Sequence, residues 1–185
     1  MDVKELILTR RTIHNFLPDK VDDGLVQTAL ELSLWAPNHK LSFPWIYVDV
    51  GTQTREKLAD LAVQLKTVDG PALSEAKVQA TRENVLNPSH VIGVGIRRSP
   101  EPLRQHEDYA ALAGGLQNAA LYLWSLGVAS KWSTGGWTKH TRTYEILGLD
   151  PQEVVLEGCL LIGQARVVPA VPERPTLAKH LRQTP

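Results

Sequence analysis

The chain has 185 residues, 20 Lys and Arg against 20 Asp and Glu, 43% hydrophobic residues, one Cys and 12 Pro. Zero formal charge offers no bulk field for nucleic acid or an anionic membrane, so any bound anion must be met by a local cluster. A single Cys excludes an internal disulfide framework and a multi-cysteine zinc site and suits a reducing, cytoplasmic setting. The start MDVKELIL lacks the pattern of a signal peptide, and no apolar run approaches the roughly 18 residues of a membrane span. The length suits one domain over residues 1–185, or a protomer whose core a partner completes.

In chain order, VKELILTRR predicts a short helix running into Arg10 and Arg11, with the chain broken before Pro18. Asp22 is a good N-cap for a second helix, whose Leu25, Val26, Ala29, Leu30 and Leu34 recur at helical spacing. Pro37 ends it near Trp35. NHKLSF reads as a loop and WIYVDV (45–50) as a strand. Thr52 or Thr54 is expected to cap a third helix carrying Leu58, Leu61, Ala62 and Leu65. Asp69-Gly70-Pro71 reads as a turn before a polar, mostly helical stretch.

VIGVGI (91–96) is a second strand, and residues 97–106, with two prolines, read as an exposed loop. The longest helix is expected over 107–126, apolar around much of its circumference and closed by Gly127 as a C′ glycine. Gly114 and Gly115 inside it each cost about 1 kcal/mol against Ala, which makes sense if a helix or a flat ligand approaches closely there. KWSTGGW (131–137) reads as a loop, Thr141 starts a short helix, and VVLEGCLLIG (154–163) is a third strand. The proline-rich tail is poorly suited to its own core and suggests a reach to a partner chain. Strands separated by helices indicate a layered α/β or α+β domain.

Several chemistries fail on spacing. Gly93-x-Gly95 is followed by Arg98 and Pro100, where a dinucleotide fingerprint needs a third glycine and a helix start. The six histidines contain no i, i+4 pair for zinc. Cys159 inside an apolar strand reads as a core thiol. Basic residues are not interleaved with aromatics, which argues against nucleic acid.

Three clusters remain. Arg10-Arg11-Thr12 offers two guanidinium forks and a hydroxyl, a set suited to phosphate oxygens. Residues 35–45, with Asn38, His39 and Lys40 between tryptophans, could seat an aromatic heterocycle with polar edges. Lys131-Trp132-Ser133-Thr134-Gly135-Gly136-Trp137 pairs donors with glycines that let a backbone approach a ligand.

Taken in order, these clusters form a pattern: Arg-Arg-Thr near residue 10, Trp-Ala-Pro-x-His-Lys with Pro-Trp before the first strand, Gly-Gly-Leu-Gln-Asn-Ala-Ala-Leu in the long helix and Trp-Ser-Thr-Gly after it. Gly-Cys-Leu-Leu-Ile-Gly in the last strand and Arg174-Pro175 in the tail complete it. Over almost its whole length the chain resembles the nitroreductase family of flavin mononucleotide (FMN) enzymes, in its compact branch.

The resemblance implies an α+β fold: a three-layer α-β-α sandwich around a mainly antiparallel sheet, built as an intertwined homodimer with flavin at the interface. It also implies ping-pong hydride transfer from NADH or NADPH, through FMN, to a nitroaromatic, quinone or similar acceptor. The alternative is a flavin-storing or flavin-sensing protein with little turnover. Carried over by position, Arg10, Arg11 and Thr12 match the phosphate-binding Arg-Arg-Ser, and Arg174 an arginine that supports the phosphate from the tail. His39 matches a flavin-contacting loop position. Trp132, Ser133 and Thr134 match the segment over the flavin, with Gly135 and Gly136 as backbone donors near its N5. Lys40 and Lys131 are the candidate cations for the N1–C2=O edge. No side chain is required as a general acid.

Departures from the family pattern are His14 in place of a frequent arginine, Leu41 and Phe43 in place of an Asn and a Gln, and Trp35 in place of an arginine.

Overall fold

The structure, a computed structural model, describes residues 2–68 and 72–184. The expected turn at Asp69-Gly70-Pro71 lies outside the described residues. The elements are α1 (Val3–Thr9), α2 (Asp23–Ser33), β1 (Trp45–Asp49), α3 (Thr52–Thr67), α4 (Glu75–Leu86), β2 (His90–Arg97), α5 (Pro102–Ser125), β3 (Ala129–Ser133), α6 (Thr141–Leu147) and β4 (Val154–Gly163). Short 3₁₀ turns cover His39–Leu41, Gly136–Lys139 and Leu177–Lys179.

The sheet order is β1-β2-β4-β3, with every neighbouring pair antiparallel. Alternation along the strands sends successive side chains to opposite faces. Ile92, Val94, Ile96, Leu160 and Ile162 pack against Leu112, Leu116 and Leu123 of α5 and Val26 and Ala29 of α2. On the other face, Val91, Cys159 and Leu161 meet Leu58 and Ala62 of α3 and Val85 of α4. Two cores, one on each side of one sheet, make the three-layer α-β-α sandwich that the resemblance implies. Burial of the Cys159 thiol pushes its pKa up to about 12, as fits a core residue.

The helix periodicities hold where an apolar face meets the sheet. Asp22 caps α2 by accepting from Leu25 N–H. Gly51 rather than a threonine is the N-cap of α3, and Thr52 is its first residue. Gly127 adopts the left-handed conformation expected of a C′ glycine, at φ 75°.

Two expectations are corrected. Residues 97–106 are not an extended loop: β2 continues to Arg97 and α5 already begins at Pro102. Proline at the first helical position starts a helix, because its missing N–H has no intrahelical partner there. Residues 131–137 are not all loop either. Residues 129–133 form β3, held by pairing with β4, and a 3₁₀ turn follows at Gly136.

Two glycines set close approaches. A Cβ on Gly115 would overlap the Ser33 carbonyl, so of the two possibilities raised by the paired glycines it is the helix, α2, that comes close to α5. Gly158, at φ 127° beside the β2–β4 register shift, admits the Ser133 carbonyl in the same way. Replacing Gly115 by Ala is expected to lower the unfolding free energy by about 1–3 kcal/mol through overpacking. Urea titration measures this, and an unchanged midpoint would mean that α2 can move aside freely.

Candidate functional site

The site forms where the chain leaves α1 and runs along the open edge of β3. Thr12 makes a parallel bridge to Ser130, and Ile13 N–H donates to the Ser130 carbonyl at 3.3 Å. The segment from Arg10 to Asn15 therefore acts as a further short strand, and it shares a cavity with β3 on each side of the sheet.

On the α5 side, a cavity of about 270 Å³ is lined by Arg10, Thr12, Gln117, Ser130 and Trp132 among others. On the α3–α4 side, a cavity of about 390 Å³ takes in His14, Lys66, Thr81, Asn84, Lys131 and Ser133. Strand alternation divides β3 between them, Ser130 and Trp132 facing one and Lys131 and Ser133 the other. Among the described residues no carboxylate lines either cavity.

The two adjacent arginines take different roles. Arg11 is 7% exposed and folds back on its own helix, Nη1 donating to the Arg10 carbonyl at 2.6 Å and Nη2 to the Leu8 carbonyl at 2.7 Å. It thus satisfies carbonyls that the end of α1 leaves unpaired. Its Nε is buried without a partner. Arg10 faces the cavity. Its pKa is lowered by burial first, then by the charges of Arg11 and of Arg174, which the tail brings into range. Among the described residues none of these three guanidinium groups has a carboxylate partner.

The second cavity repeats this chemistry. Lys131 is half-buried, its pKa lowered by desolvation, and among the described residues it has no ion pair. Lys66 donates to the buried Thr81 hydroxyl at 3.0 Å. Lys66, Thr81 and Asn84 were not singled out in the sequence. Only the position of Lys66 beside the apolar face of α3 hinted that it lies near the core.

The remaining candidates are scattered. Trp132 lies between the Tyr109 ring, 6.1 Å away, and the Glu157 carbonyl, to which its Nε1 donates at 3.0 Å. Gly136 lines the larger cavity at φ 58°, whereas Thr134 and Gly135 are exposed and line neither. His39 lies beside α5, its Nδ1 2.7 Å from Glu107 Oε2. Its neighbour Lys40 is exposed. Within one chain, neither residue reaches the cavities at β3. Among the described residues no group of three His, Cys, Asp or Glu side chains could hold a metal ion, and no helix is long and apolar enough to cross a membrane.

Arg10 with Thr12 in one cavity, and Lys131 with Lys66 in the other, offer cationic and hydroxyl donors to an anion. Phosphate should therefore raise the melting temperature of the protein, by preferential binding to the folded state. Arg10→Ala should abolish that gain with little change in the anion-free melting temperature. Arg11→Ala should instead lower the anion-free value, because it strips a cap from α1. A phosphate effect that survives Arg10→Ala would move the anion site elsewhere.

Comparison with known proteins agrees with this architecture. The family model described as "Nitroreductase family" matches residues 7–164. The Bacillus subtilis protein named "Putative NAD(P)H nitroreductase YfhC" is 23% identical over 152 residues, 82% of this chain and 78% of that one. A nitroreductase-like family protein from Bacillus cereus is 25% identical, with a TM-score of 0.82 over 100% of this chain and 96% of its own. A Desulfovibrio desulfuricans protein crystallised with FMN is 22% identical, with a TM-score of 0.76 over 100% of this chain and 98% of its own. With a match over 158 of 185 residues and the same layered fold, the chain belongs to the nitroreductase family.

Proposed function

We propose that the protein is an FMN-dependent oxidoreductase that takes reducing equivalents from NADH or NADPH and passes them to a nitroaromatic, quinone or similar small acceptor. The observation that carries this reading is the pair of carboxylate-free, cation-lined cavities on the two sides of the segment from Arg10 to Asn15. FMN has one phosphate and one ring system whose reduced form is anionic, and each needs positive charge without a competing carboxylate. The FMN complex of the Desulfovibrio relative and the name of the Bacillus subtilis relative support the same assignment.

Arg10, Arg174 and the Thr12 hydroxyl would hold the phosphate, while Arg11 holds the end of α1 in shape for Arg10. Lys131, Lys66 and His14 would face the polar edge of the ring, with Ser133, Thr81 and Asn84 as neutral partners. Gly136 permits close approach of the backbone there, and Trp132 forms an apolar wall on the other side of β3. When bound, FMN supplies the hydride chemistry, accepting from the nicotinamide and delivering to the acceptor in alternate half-reactions. The chain's part is to bind, orient and tune the ring, with cations placed in advance where negative charge develops.

The same reading includes a homodimer that brings His39 and Lys40 of one chain to the flavin of the other. In support, Trp35 is 83% exposed, and Val3, Ile7 and Leu8 of α1 and Val167, Val168 and Val171 of the tail are also largely solvent-facing. A partner chain seated over these side chains would take their apolar surface out of water.

The purified protein is expected to be yellow, or to become so with FMN, and anaerobic NADH or NADPH should bleach its visible absorption. An added quinone should restore the colour. A colourless chain that cannot be reconstituted would sink the proposal, whereas a yellow chain that neither nicotinamide bleaches would mark it as a store or sensor of flavin.

A further inference from the structure

Lys40, Leu41 and Phe43 have φ of 56°, 50° and 47°. They are the non-glycine residues with positive φ among the described residues, and all lie within one four-residue stretch. The left-handed conformation costs a residue with a Cβ about 1–2 kcal/mol, and a bulky side chain there is a genuine outlier. Burial does not compensate, since Leu41 is 67% and Phe43 59% exposed. Something else must hold the loop, and strain of this kind persists where surrounding structure over-determines it.

Asn38, Ser42 and Asp108 are that structure. Asn38 Oδ1 accepts from Phe43 N–H at 2.8 Å, and its Nδ2 donates to Ser42 Oγ at 2.8 Å. Ser42 Oγ donates in turn to Oδ1 of Asp108, a carboxylate on α5 that is 4% exposed. Its other oxygen lies 4.0 Å from Arg104 Nε. One residue earlier on the same helix, Glu107 bonds His39 Nδ1, which leaves Nε2 as the ring's free edge. Two adjacent carboxylates of α5 thus pin the loop at Ser42 and at His39. A buried carboxylate that is hydrogen-bonded to a loop hydroxyl is an expensive anchor for an ordinary turn.

We propose that Asp108 is a positioning residue: through Ser42 and Asn38 it holds residues 38–43 in a strained conformation that presents His39 and Lys40 to FMN across the dimer interface. This rests on the function proposed above and adds a residue that touches no ligand itself. Removing the anchor lets the loop relax toward unstrained backbone angles and swings His39 and Lys40 out of position.

The test measures FMN affinity by fluorescence quenching, together with the visible circular dichroism of the bound flavin. Asp108→Asn and Ser42→Ala should each weaken FMN binding about tenfold, the worth of one charge-assisted hydrogen bond, and should alter the flavin dichroism. The double variant should be no weaker than Ser42→Ala alone, because Asp108→Asn removes the charge and Ser42→Ala the donor of one and the same contact. Ser42→Thr keeps the hydroxyl and should retain wild-type values. A merely structural role would lower the melting temperature and leave both flavin readouts unmoved.

If Asp108→Asn does not fold, Ser42→Ala decides alone. Folded variants with wild-type affinity and dichroism overturn the loop assignment while leaving the function intact. A wild-type chain that binds no FMN overturns both.

Discussion

Positive charge gathered without a counter-ion at one edge of the sheet is the constraint on which the rest of the site depends. The chain carries as many acidic as basic side chains, so a carboxylate could have been placed beside Arg10, Arg11 and Arg174. Among the described residues none of the three forms an ion pair, and burial first, then the charges of Arg11 and Arg174, lowers the Arg10 pKa. Like charges in a partly desolvated setting are destabilising until an anion arrives. Arg11 relieves part of that repulsion by turning onto the carbonyls that end α1. Arg10 is left as the group that faces outward, and Arg174 comes to it from more than 160 residues later in the chain.

The layered fold makes the arrangement possible. Because β3 is an edge strand, the segment after α1 can pair with it at Thr12, and side chains from both then alternate between the two faces of the sheet. One face meets α5, which packs closely on α2 at Gly115 and brings Gln117 into the cavity that Trp132 also lines. The other meets α3 and α4, which bring in Lys66, Thr81 and Asn84. The bulge at Gly158 lets Ser133 approach β4, so the end of β3 is held where the larger cavity opens. Packing, rather than any one motif, thus converts scattered donors into a binding surface.

Much of this was legible in the sequence, for physical reasons specific to each element. α2 announced itself through Asp22 and its apolar spacing, and β2 and β4 through apolar runs long enough to be buried on both faces. β3 did not, because Ala129-Ser130-Lys131-Trp132-Ser133 has no apolar alternation and becomes a strand only by pairing with β4. The start of α5 was hidden by prolines that read as loop, although one of them occupies the first helical position. Arg10 and Arg11 look equivalent in sequence, and only the backbone path at the end of α1 separates a cavity-facing group from a capping one. Lys66, Thr81 and Asn84 sit on polar helices whose surfaces carry many similar residues, so no local pattern marks them. The strain at Lys40, Leu41 and Phe43 was likewise invisible, since it arises from an anchor more than 60 residues away.

The central claim is that the Arg10 and Arg174 charges exist to hold the phosphate of a flavin. Titrating the flavin-free protein in parallel with FMN and with riboflavin, which differ only in that phosphate, tests it most directly. The account predicts that FMN binds at least about 100-fold more tightly, as expected when two charge-assisted hydrogen-bonding groups are engaged. Equal affinities for the two flavins would contradict it.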